Sequence, residues 1–98
     1  ARALLEKARR AVIVEVGSAV RTYQGERAAL GAAQRALRSA RAEFTATRIG
    51  YANGASSSLD VEAARATYVQ AMVGEISALY AQAQAQATLE LLIGQPHA

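Results

Sequence analysis

Tyr51-Ala52-Asn53-Gly54-Ala55-Ser56-Ser57-Ser58-Leu59-Asp60-Val61 is the one stretch where the sequence clearly asks the backbone to turn. Gly50 and Gly54 can both take positive φ without a Cβ clash, so either can close a helix C-terminus. Three serines come next, and then Leu59-Asp60-Val61-Glu62 reads as a helix start. Ser57 with Asp60 three residues on fits a capping box, in which one oxygen caps free N–H groups and the other reaches back. The residues before this stretch read as one long helix, and those after it as another. The expectation is an all-α, long antiparallel helical hairpin of coiled-coil character. It forms a single unit over 1–98: helix about 3–52, tip about 53–57, helix about 58–93, tail 94–98.

Outward from the tip, the first arm carries a heptad repeat. Val16, Tyr23, Leu30, Leu37, Phe44 and Tyr51 recur at intervals of seven. Leu5, Val12, Ala19, Ala33, Ala40 and Thr47 fill the second track, with Glu26 as its one charged interruption. A narrow seam of large and small residues is what a supercoiled helix needs. On the second arm, Leu59, Ala66, Val73, Tyr80 and Ala87 form one expected track, and Val69, Ile76 and Ala83 the other. Met72 and Leu79 widen that apolar face beyond a two-stranded seam, which implies more than one helical neighbour. Gly17, Gly25, Gly31 and Gly74 are either tolerated in long helices or mark close approach by a neighbour. Gly94 followed by Pro96 reads as a helix stop, a C′ glycine and then a residue that cannot continue the helix.

Two helices alone close no core, so further helices are expected, from missing flanks or from other subunits. The chain starts inside an amphipathic pattern, as a fragment or a processed domain would. Apolar residues make up 52% of it, about a quarter of all residues being Ala, which suits close-packed helices. With no cysteine, neither a disulfide nor a thiolate metal site can form. The net charge of +3 is unevenly spread: residues 1–49 hold ten of the eleven basic residues, while residues 50–98 hold only Arg65 against Asp60, Glu62, Glu75 and Glu90. Opposite signs favour docking of one arm on the other and disfavour a uniform polyanion-binding surface. Arg27, Arg41 and Arg48 share a track flanking the seam, where solvation or pairing with acids of the second arm is expected. No nucleic-acid partner is expected.

Catalysis finds little to work with, and neither a cofactor nor a metal is expected. Asp60 and Glu62 are two apart on a helix and diverge. The serines have no histidine base in reach, since His97 lies past the helix stop as a tail residue. No run reaches the ~20 apolar residues of a membrane span.

Tyr51-x-x-Gly54-x-x-Ser57-x-Leu59-Asp60-Val61, between two long Ala-rich helices, resembles the periplasmic hairpin tip of the TolC-like outer membrane factor family. Leu91-Leu92-Ile93-Gly94 is similar to the close of that family's second helix. Gly50 departs from the arginine that often precedes the tip tyrosine, and Glu62-Ala63-Ala64-Arg65 departs from the usual continuation. The resemblance implies one hairpin of an α-helical barrel: a periplasmic segment of an outer-membrane efflux or type I secretion duct. The family's members are trimers that work with a periplasmic adaptor (membrane fusion) protein and an inner-membrane transporter. Carried over residue by residue, Tyr51, Gly54, Ser57, Leu59, Asp60 and Val61 would form the adaptor-contacting tip. The ending of the second arm looks more like the first of the family's two repeats. A stand-alone coiled-coil module that self-associates is the alternative, and an excised hairpin is expected to pair with copies of itself.

Overall fold

The computed structural model describes residues 2–94. Two helices account for nearly all of them: α1 over Arg2–Ala52 and α2 over Ser58–Gly94. They pack side by side into an antiparallel hairpin measuring 78 × 22 × 14 Å. Gly94 stays within α2 without positive φ. The stop expected at Pro96 and the tail position of His97 lie outside the described residues.

The seam of α1 follows the 3-4 spacing of its sequence. Val16, Ala19, Tyr23, Glu26, Leu30, Ala33, Leu37, Ala40, Phe44 and Thr47 are all buried or half-buried, with Gly17, Val20, Gly31, Gln34 and Gly50 half-buried beside them. Leu37 and Ala40 are the most enclosed, at 8% and 6% exposure. Replacing Leu37 by Ala would remove a packed side chain at a cost of about 2–3 kcal/mol. Leu5 and Val12 continue the pattern but are 72% and 54% exposed, because α1 runs past the last described residue of α2. Tyr51, at the other end, is also exposed.

On α2 the expected face is corrected. Leu59, Val69, Val73, Ile76 and Tyr80 are 77%, 46%, 60%, 65% and 66% exposed, so they do not face α1. The positions turned inward are Val61, Ala64, Tyr68, Ala71, Glu75, Ala78, Gln82, Ala85, Leu89 and Leu92, with Met72 and Ala81 half-buried beside them. They keep a heptad of their own, displaced to roughly the far side of the helix from the bulky stripe. The reason is the register imposed by the tip. The Phe44 and Tyr68 rings meet at 5.6 Å, placing residues of equal distance from Ser56 opposite each other. Counting back from there sets Leu37 against Glu75 and Leu30 against Gln82. Small and polar residues of α2 thus receive the large residues of α1, and α2's own bulk points away. No ion pair joins the arms among the described residues: Arg10–Glu6 at 3.8 Å and Arg65–Glu62 at 3.9 Å both lie within one helix. The arginines flanking the seam of α1 are solvated rather than paired with α2.

Candidate functional site

At the tip, the last turn of α1 must hand its free carbonyls to new donors, and the backbone does so in a Schellman arrangement. Ala55 N–H donates to Gly50 O at 2.7 Å and Gly54 N–H to Tyr51 O at 3.3 Å. Gly54 sits at φ +85°, the left-handed position that a side chain would oppose. Ser56 N–H also donates to Gly50 O, at 3.1 Å, which folds the loop back over the helix end. That return brings Ser56 so close that a Cβ at Gly50 would collide with Ser56 Oγ and meet Ser56 Cβ at 3.4 Å. The two glycines therefore do different work: Gly54 supplies the conformation and Gly50 the space.

The start of α2 is closed reciprocally. Asp60 N–H donates to Ser57 Oγ at 3.1 Å, and Ser57 N–H donates to the Asp60 carboxylate at 3.0 Å. Val61 N–H reaches Ser57 O at 3.2 Å and begins the helical ladder. The backbone N–H of Ser57, and then its hydroxyl, hold the Asp60 carboxyl below its usual pKa, against a small opposing effect of desolvation. Asp60 is thus an anion fixed in a helix first turn, where the helix dipole also favours it.

The six expected tip residues fall into three groups. Gly54, Ser57 and Asp60 form the turn and the cap. Val61 is half-buried at the head of the seam. Tyr51 and Leu59 stand outward, Leu59 at 77% exposure, and are the side chains most available to another surface. A shallow cleft of about 310 Å³ near the tip is lined by Glu43, Thr47, Ser56, Asp60, Ala63, Ala64 and Thr67. Nothing in the sequence singles out Ser56 from its neighbours; its role comes from the close return to Gly50, which only three-dimensional placement shows. The Phe44–Tyr68 pair is equally silent in the sequence, although folding the chain at Ser56 sets the two opposite.

Among the described residues there is no His/Asp/Glu group suited to a metal ion, no helix long and apolar enough to cross a membrane, and no buried polar side chain. The family model described as "Outer membrane efflux protein" matches residues 1–95. No curated protein and no solved structure matches the chain.

Proposed function

This chain belongs to the outer membrane efflux protein family, and from that premise we propose that it is one wall segment of the periplasmic tunnel of a trimeric outer-membrane efflux or secretion duct. The family is one of transport channels, so the work of the hairpin is to enclose and connect. Its tip, through Tyr51, Leu59 and the capped turn of Gly54, Ser57, Asp60 and Val61, meets a periplasmic adaptor protein that couples the duct to an inner-membrane transporter.

One observation carries this reading: α2 has an apolar stripe on the side away from α1. Leu59, Val73, Ile76 and Tyr80 are each at least 60% exposed. A helix with apolar residues on both sides is one that is covered on both sides. A wall of side-by-side helices supplies the second cover, and a free-standing pair does not. The same stripe would serve a self-associating hairpin, so the test must separate the two.

In the native protein, Val73→Asp with Ile76→Asp is expected to abolish the trimer, seen by sedimentation, and to stop export. In the isolated hairpin the same pair should leave helicity unchanged, because neither residue faces α1. A native trimer that survives both charges would remove the wall role. Leu59→Asp, at a position outside the seam and the cap, is expected to lower adaptor affinity without disturbing the trimer. Undiminished adaptor binding by that variant would remove the tip role.

A further inference from the structure

The turn holds the only asparagine of the sequence, and a glycine follows it. Asn53 comes directly after the last residue of α1, is exposed, and precedes the left-handed Gly54. An asparagine followed by glycine carries a reaction within its own atoms. Its side-chain Cγ is an amide carbon, and the backbone nitrogen of the next residue can join it in a five-membered ring. A side chain on that next residue obstructs the approach, and glycine has none. Around Gly54, no atom lies within 4 Å of where a Cβ would stand, so neighbours do not obstruct it either.

The hydrogen bonds of the turn decide when the ring can close. The Asn53 side-chain amide makes no hydrogen bond among the described residues, so nothing anchors Cγ. Gly54 N–H is given to Tyr51 O and Asn53 N–H to Ile49 O, both at 3.3 Å. These are long bonds beside the usual value of about 2.9–3.0 Å. While they hold, the Gly54 nitrogen is turned to Tyr51 and the ring stays open. The reaction therefore runs through openings of the last turn, and helix ends open readily. The chain offers no equal site. Asp60, its only aspartate, precedes Val61, whose nitrogen is given to Ser57 O and whose side chain branches at Cβ. The glutamines among the described residues all lie inside α1 or α2 and would need a six-membered ring.

We infer that Asn53 is a self-modification site, converted by ring closure onto Gly54 at a rate set by opening of the tip turn. The Gly54 nitrogen bonds to Asn53 Cγ, the Cγ–Nδ2 bond breaks, and ammonia leaves with the proton that Gly54 gives up. Water then adds to one of the two carbonyls of the cyclic imide. Opening at Cγ leaves aspartate, and opening at the backbone carbon leaves isoaspartate, whose chain runs through Cβ and Cγ. Water is the only co-reactant, and nothing is oxidised or reduced. Both products set a carboxylate at the C-terminal end of α1, where the helix dipole disfavours it and no basic residue of the last turn offsets it. Isoaspartate also lengthens the backbone inside the rings closed by Ala55 N–H on Gly50 O and Gly54 N–H on Tyr51 O. The reaction needs only the turn and water, so it holds whether or not the hairpin serves a duct.

The test keeps the purified native protein in heavy-oxygen water and follows residue 53 by peptide mass spectrometry that separates aspartate from isoaspartate. An unfolded peptide of residues 49–58 is the open reference. Both products are expected, each carrying one oxygen from the water, and faster as pH rises because the attacking nitrogen must lose its proton. Conversion should be about tenfold slower than in the peptide. Ser57→Ala, which unties the start of α2, should speed it in the protein and leave the peptide rate unchanged, with helicity recorded for each. Asn53 that stays intact while the peptide converts would overturn the inference. So would aspartate without isoaspartate, which marks direct hydrolysis with no ring. A native rate equal to that of the peptide would overturn the control assigned to the turn.

Discussion

Two glycines four residues apart illustrate how differently the same residue type can act. Gly54 occupies the left-handed region, so Gly54→Ala should destabilise the isolated hairpin by about 1–2 kcal/mol, read by thermal melting. Gly50 is helical, and only the Ser56 hydroxyl stands against a side chain there. Gly50→Ala should therefore be costly or neutral alone, but stabilising by up to about 1 kcal/mol in a Ser56→Ala background, where helix propensity prevails. A double-mutant cycle reads the difference. The capping box makes its own prediction. Ser57→Ala should cost about 1 kcal/mol. Because Asp60 is bound more tightly as the anion in the folded state, its contribution is complete above the usual carboxylate pKa. It is lost as pH falls through the lowered value in the native hairpin. An Asp60→Asn variant should lack this acid-side decline in melting temperature.

At the scale of the helices, α2 is the instructive element. Its inward track holds Glu75 and Gln82 where the register places Leu37 and Leu30 of α1. Glu75→Leu and Gln82→Leu should each stabilise the isolated hairpin by about 1 kcal/mol, measured by urea unfolding. The hairpin, its tip and its capping box are legible in the sequence, because Ser57-x-x-Asp60 and the long heptads of α1 are local signals. The seam of α1 is legible too: from Val16 to Thr47 the positions that meet α2 follow the spacing as written. The inward face of α2 is not. With Val73, Ile76 and Tyr80 on one side and Tyr68, Leu89 and Leu92 on the other, periodicity marks the bulkier face and not the one that meets α1. That choice belongs to the turn, whose backbone hydrogen bonds fix how α2 is rotated as it leaves Ser57. The tip residues are legible as turn formers, whereas the crowding of Ser56 on Gly50 and the convergence of Arg48 and Arg65 on Phe44 are properties of the pair.

As a whole the molecule is long and thin, with a radius of gyration of 22.0 Å, against about 13 Å for a compact chain of this length. Among the described residues no large side chain is fully enclosed. A shape of this kind exposes most of its apolar surface, so the isolated chain is expected to associate in solution. Val73→Asp with Ile76→Asp should return it to an extended monomer with a scattering radius near that of the hairpin, measured by small-angle X-ray scattering.

The doubly fastened turn has a mechanical consequence. With the end of α1 tied by Ala55 and Gly54 and the start of α2 tied by Ser57 and Asp60, the bend has no slack through which the arms could scissor apart. Each hairpin is therefore fastened at its own apex. If hairpins of this kind stand side by side, the tied apex predicts that a load applied at Leu59 enters both arms together.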